Sequence, residues 1–232
     1  MNPSTPVAFL HGFATSSART WGENGWLDLL ADAGRETVPI DLLGHGTAEK
    51  PHDPAAYADL EGYVADRLPA GPVDAVGFSM GARLLLGVAA AQPGRFRRIV
   101  TLGVGRNLFE PSGSDVVIRA LEAGGDPTNP VAGYFARLAQ HPDADLDALL
   151  ACLRAPLPAL TTENCARIGV PVLVIVGERD FAGPGDPLAD ALPDARLVVL
   201  PGADHFSTPK DFGAIDATLR FLDEGRFLDE GP

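Results

Sequence analysis

The stretch Val73-Asp74-Ala75-Val76-Gly77-Phe78-Ser79-Met80-Gly81-Ala82-Arg83-Leu84-Leu85-Leu86 decides how this chain is read. Its first part, Val73–Phe78, is a short apolar run of β-favouring character. Its last part, continuing to Gln92, is rich in Ala and Leu with amphipathic helical spacing. Between them, Gly77-Phe78-Ser79-Met80-Gly81 fits the pattern Gly-x-Ser-x-Gly. A serine in a strained strand-to-helix turn is lifted above the sheet edge. Glycines at Gly77 and Gly81 remove the Cβ atoms that would collide as the helix folds back. The helix N-terminus adds partial positive charge beneath the hydroxyl. Ser79 is the candidate nucleophile.

Outward from this turn, apolar runs alternate with helix-like segments. The runs are Val7–Leu10, Thr37–Leu42, Arg98–Val104, Val170–Val176 and Leu197–Leu200; the segments include Trp26–Ala33, Ala55–Leu68 and Met80–Gln92. Runs such as Val172-Leu173-Val174-Ile175-Val176 lack period-2 alternation, as expected of strands covered on both faces. The expectation is an α/β fold: a mostly parallel, six-stranded sheet with helices on both faces. Residues 106–168 contain no convincing strand. Ser114–Ala123, Pro130–Gln140 (with Asn129 as N-cap) and Asp143–Ala155 read as helices. Residues 1–105 and 169–232 are therefore expected to form the core, with 106–168 as a helical lid. Near the end, Arg220–Gly225 and Arg226–Gly231 are both Arg-Phe-Leu-Asp-Glu-Gly, a tandem too short for a repeat architecture.

The chain has 232 residues, room for one domain. Its net charge is −13 with no basic cluster, which excludes a nucleic-acid surface. No apolar run approaches the length of a membrane span, and Met1–Pro6 lacks the basic and apolar regions of a secretory signal. Cys152 and Cys165 are the only cysteines, and no His or Cys stands near them at metal-ligand spacing. A cytoplasmic protein without a disulfide framework or metal site is expected. Oligomeric state has no signature in the sequence.

A hydroxyl nucleophile needs a base. Of His11, His45, His52, His141 and His205, only His205 lies just after a late strand, in Pro201-Gly202-Ala203-Asp204-His205-Phe206. The carboxylate that orients it should follow the preceding strand, where Gly177-Glu178-Arg179-Asp180 offers Asp180; Glu178 and Asp204 are competitors. Two backbone donors should stabilise an oxyanion: the N–H of Met80 and, from the loop after the first strand, that of Phe13. His11 reads as a residue that fixes this loop.

These fragments, with Asp41-Leu42-Leu43-Gly44-His45-Gly46, resemble the α/β-hydrolase superfamily along nearly the whole chain, in the order Ser79…Asp180…His205. The resemblance implies the α/β-hydrolase fold, a Ser-His-Asp triad, a two-amide oxyanion hole and acyl transfer from a small-molecule substrate without a cofactor. It also implies that Asp41 and His45 shape the fold. The few residues before Val7 leave no room for the antiparallel edge strands that open many members. Ser79 in place of an aspartate excludes the ester-forming route of haloalkane dehalogenases and epoxide hydrolases.

Ser79-Met80-Gly81-Ala82-Arg83 also resembles the elbow of menaquinone-pathway cyclohexadiene carboxylate synthases, in which the arginine receives a substrate carboxylate. Arg83 therefore has two readings, substrate contact or a brace to the lid. Phe78, Tyr134 and Phe135 are the further candidates for substrate contact. The leading expectation is a carboxylesterase for small or medium acyl groups. A lyase of the synthase type, a C–C bond hydrolase and a ligand sensor that retains the pocket are the alternatives.

Overall fold

The computed structural model describes residues 5–110 and 113–223. Six strands, β1 (Val7–Leu10), β2 (Thr37–Ile40), β3 (Val73–Phe78), β4 (Phe96–Leu102), β5 (Val172–Gly177) and β6 (Ala195–Leu200), form one sheet in the order β2-β1-β3-β4-β5-β6. Every neighbouring pair is parallel. β1, β3 and β5 are buried along their whole length, as their unbroken apolar runs require, whereas the edge strands β2 and β6 are partly exposed.

Helices α1 (Trp26–Asp32) and α9 (Phe212–Asp223) cover one face. Trp21, Trp26 and Leu30 pack there on Phe9, while Ile215, Phe221 and Leu222 join Val100, Leu102 and Leu173 in the same cluster. The other face carries α2 (Leu60–Ala65), α3 (Met80–Ala91) and α8 (Asp186–Ala191), which bury Val64, Leu84, Leu86 and Leu188. Between β4 and β5 the chain forms α4 (Ser114–Glu122), α5 (Pro130–Leu138), α6 (Leu146–Arg154) and α7 (Thr162–Ala166). This helical insertion shares the second core, through Leu121, Phe135 and Leu149 among others. Asn129, Asp145 and Thr161 each accept a backbone N–H at the start of α5, α6 and α7.

Several boundaries differ from the sequence expectation for identifiable reasons. β2 ends at Ile40, because the Leu42 N–H is taken by His11 Nε2 at 3.0 Å and the chain turns at Gly44, φ +84°. The fourth strand starts at Phe96 and stops at Leu102, before Gly103 at φ +67°. The span Ala55–Leu68 is not one helix. Asp53 caps a 3-10 turn over Pro54–Tyr57, and Asp59 caps the separate α2.

At the amino edge of the sheet, Arg35 pairs with the buried Asp74 of β3, and its guanidinium also donates to the Leu222 carbonyl. Cys152 and Cys165 are buried free thiols; burial pushes the Cys152 thiol up to about 12. No helix among the described residues is long and apolar enough to cross a membrane. The hexapeptide copy Arg226–Gly231 lies outside the described residues.

Candidate active site

Ser79 joins β3 to α3 with φ +53° and ψ −114°, a conformation that L residues rarely adopt and that costs about 1–3 kcal/mol. Two backbone bonds hold it: the Ser79 N–H donates to the Leu102 carbonyl at 2.8 Å, and the Arg83 N–H donates to the Ser79 carbonyl at 3.0 Å. The flanking glycines are required by space. A Cβ at Gly77 would lie 2.7 Å from the Ala82 backbone, and one at Gly81 would lie 2.5 Å from the Leu10 carbonyl oxygen. The same close approach sets the end of β1 against the first turn of α3.

His205 reaches this turn from the loop after β6. Its Nε2 is 3.0 Å from Ser79 Oγ, and its Nδ1 is 2.9 Å and 3.1 Å from the two oxygens of Asp180. With Asp180 accepting from Nδ1–H, Nε2 carries the lone pair that faces the serine hydroxyl. Asp180 Oδ1 also accepts the Ala182 N–H at 2.8 Å, which fixes the carboxylate. His205 and Asp180 are both buried. The competing acids are engaged elsewhere. Glu178 accepts the Gly202 N–H at 2.7 Å, and Asp204 accepts the Ser207 N–H at 2.8 Å.

Aromatic rings wall the imidazole: Phe181 at 4.2 Å, Phe78 at 4.9 Å and Phe206 at 5.3 Å between ring centres. Gly103 backs it from the sheet side, where a Cβ would lie 2.8 Å from Phe78 and 3.1 Å from His205 Cε1. Phe181 and Gly103 carry no local pattern that would single them out in the sequence.

The loop after β1 crosses directly over the elbow. A Cβ on Gly12 would fall 2.9 Å from the Phe78 ring and 3.3 Å from Ser79 Cβ. Neither the Phe13 N–H nor the Met80 N–H donates a hydrogen bond among the described residues. Two histidines brace this loop. His11 accepts the Leu42 N–H at Nε2, so its proton is on Nδ1, 2.7 Å from the Gly12 carbonyl. Burial lowers the His11 pKa to about 4 and that of His45 to about 3. Asp41 accepts backbone N–H groups of Ser17 and Thr47, each at 2.8 Å.

Two cavities meet at Ser79. The larger, about 610 Å³, runs under the helical insertion between Val104, Val116, Val131, Leu153 and Leu157. The smaller, about 140 Å³, is bordered by Phe78, His205, Tyr134 and Phe206. Phe13 and Phe135 line both. Tyr134 stacks on Phe206 at 3.7 Å. Arg83 touches the larger cavity, but its guanidinium donates to Glu61 at 3.2 Å and to the Pro158 carbonyl. No group of three or more His, Cys, Asp or Glu among the described residues is placed to hold a metal ion.

Comparisons with known proteins bear on the family and the fold. The chain is 28% identical to a Bacillus subtilis (strain 168) protein provisionally named 2-succinyl-6-hydroxy-2,4-cyclohexadiene-1-carboxylate synthase, over 92% of this chain and 89% of that protein. It is 26% identical to a 2-(acetamidomethylene)succinate hydrolase of Mesorhizobium japonicum, over 73% and 72% of the two chains. An esterase from Exiguobacterium antarcticum superposes with a TM-score of 0.73 at 16% identity, covering 96% of this chain and 93% of that one. At that identity the likeness shows the fold alone. The match of residues 7–215 to the alpha/beta hydrolase family spans all six strands, the elbow and the loops that bring Asp180 and His205 to Ser79, and the chain belongs to that family.

Proposed function

We propose that the protein is a serine hydrolase that cleaves carboxylic esters of small to medium acyl groups. The observation that carries this reading is the hydrogen-bonded line Asp180–His205–Ser79, which ends on a strained elbow open to two cavities.

In the proposed reaction, Ser79 Oγ attacks the ester carbonyl while His205 Nε2 takes the hydroxyl proton. The imidazolium that forms is stabilised by the Asp180 carboxylate hydrogen-bonded to Nδ1. The carbonyl oxygen gains the electron pair and is received by the N–H groups of Phe13 and Met80. The tetrahedral intermediate collapses, the C–O bond to the alcohol breaks, and His205 returns the proton to the departing oxygen. Water, deprotonated by the same imidazole, then attacks the acyl-Ser79 ester and releases the acid. Every proton is handled by His205, and no cofactor enters.

Phe78, Tyr134 and Phe135 contact the substrate in this reading, and Arg83 braces the insertion, which acts as a lid. A second reading, a lyase like the Bacillus relative is named for, is favoured by that likeness and by Ser79-x-Gly81-x-Arg83. The engagement of Arg83 by Glu61 and Pro158 speaks against it.

Turnover of p-nitrophenyl acetate and butyrate by wild type, and its loss in Ser79→Ala, is the test. Absence of ester turnover by a folded wild-type protein would defeat the esterase reading and promote the lyase.

A further inference from the structure

The two cavities at Ser79 differ in kind. The larger has mainly apolar walls, aliphatic and aromatic, and does not include His205. The smaller does include it, and its rim carries Arg19, Glu23, Asn24 and Lys210. His205 must return a proton to the departing oxygen, so the leaving group lies on the His205 side of the scissile bond. The leaving group therefore enters the small polar cavity, and the acyl chain enters the large apolar one.

Arg19 sits on a π-helical turn, Ala18–Gly22, immediately after the loop that crosses the elbow. Only its backbone is engaged: the N–H donates to Ser16 Oγ at 3.3 Å, and the carbonyl accepts from Asn24 Nδ2 at 3.2 Å. Neither the Arg19 guanidinium nor the Lys210 ammonium has an ion pair or hydrogen bond among the described residues. By contrast, Arg83 beside the larger cavity is already held by Glu61 and Pro158. Glu23 supplies the one acidic side chain in the lining. The leaving-group cavity is thus locally cationic in a chain of net charge −13.

We propose that Arg19, with Lys210 at the rim, forms an anion subsite for the leaving group, and that the preferred substrates are esters of short alcohols bearing a carboxylate. The assignment of leaving group to this cavity rests on the hydrolase reading above. A half-buried guanidinium takes a carboxylate bidentately and is only lightly hydrated, so it discriminates by shape as well as charge. A cavity of about 140 Å³ limits the group to a few heavy atoms or one small ring.

Two esters of matched shape test the idea, meta-carboxyphenyl butyrate and meta-carbamoylphenyl butyrate; the carboxylate is the less electron-withdrawing group, so intrinsic reactivity works against the expected preference. The ratio of their kcat/KM values should favour the carboxylate by about tenfold or more in wild type. It should fall toward unity in Arg19→Met, recover in part in Arg19→Lys, and rise in Glu23→Gln. Lys210→Met should lower it by a smaller factor. An unchanged ratio in Arg19→Met, or a wild-type preference for the amide, overturns the proposal. A second measurement does not need turnover: calorimetric titration of meta-hydroxybenzoate into Ser79→Ala protein, with and without Arg19→Met. Binding weakened about tenfold or more by Arg19→Met supports the subsite, and equal binding overturns it. If meta-hydroxybenzoate binds through Arg19 while no ester is turned over, the hydrolase reading falls and the subsite stands.

Discussion

The guanidinium of Arg83, one turn beyond Ser79 in α3, lies 3.2 Å from Glu61 of α2 and donates to the Pro158 carbonyl in the segment leading back to β5. It joins three parts of the chain around the elbow. Arg83→Met should therefore lower stability by about 1–2 kcal/mol, a part-buried pair being discounted for the exposure of Glu61. It should weaken carboxylated and neutral esters by similar factors. Urea denaturation with paired kinetics checks this. A loss confined to anionic substrates would make Arg83 a substrate contact.

Ser79 should be the one serine labelled by a fluorophosphonate, and Ser79→Ala should abolish labelling. His205→Ala and Asp180→Asn should each reduce kcat by about 10³-fold or more, with the double variant little worse than His205→Ala alone. Multiplying losses would mean that the two residues do not act as a unit. Glu178→Gln, which removes only an acceptor for the Gly202 N–H, should be mild.

Gly103→Ala places a methyl 2.8 Å from Phe78 and 3.1 Å from the His205 ring, at a φ of +67° that disfavours any side chain. The imidazole must shift, so kcat should fall about tenfold or more while KM changes little. Unaltered kcat in the folded variant would show that the imidazole tolerates displacement.

His11 and His45 give the protein a sensitivity to mild acid. Burial depresses both folded pKa values, to about 4 and about 3, below the unfolded value of 6.5. The unfolded chain therefore binds more protons once the pH falls below 6.5. Unfolding free energy should drop by up to about 1.4 kcal/mol per pH unit for each histidine between pH 6.5 and 4. His52, raised by its bond to Asp145, works in the opposite sense, gaining stability on acidification. Urea titrations from pH 6.5 to 4.5 should show the slope, and His45→Phe should reduce it by about half. A flat profile would contradict neutral buried histidines.

The sheet and the three residues at its carboxyl edge are legible in the sequence because each carries a local signature. Continuous apolar runs announce buried parallel strands, and glycines mark the elbow. The loops after the last two strands bring Asp180 and His205 to Ser79 in the expected order. Where the reading strays, the cause is a contact made at distance. Leu42 continues the apolar run of β2, yet its N–H is captured by a histidine from another loop. Asp53 and Asp59 break one helical pattern into two capped pieces. Gly103, Phe181 and Arg19 gain meaning only from what the sheet brings next to them. α9 does carry helical spacing, at Ala214, Ile215, Thr218, Phe221 and Leu222, beyond the last expected strand.

The helical insertion has a consequence for how the chain reaches its native state. β4 ends at Leu102 and β5 begins at Val172, so their pairing must close a loop of about 70 residues. β1 and α1, by contrast, are near neighbours in sequence; Trp21 packs on Phe9 in that early half, while the Trp26 indole also donates to the Pro209 carbonyl beyond β6. Local contacts form faster than distant parallel pairings. During refolding of Trp26→Phe, Trp21 fluorescence should recover before Ser79 reacts with a fluorophosphonate, because Asp180 and His205 reach Ser79 only after β5 and β6 have joined the sheet. Coincident recovery of the two signals would mean that the halves fold as a single cooperative unit.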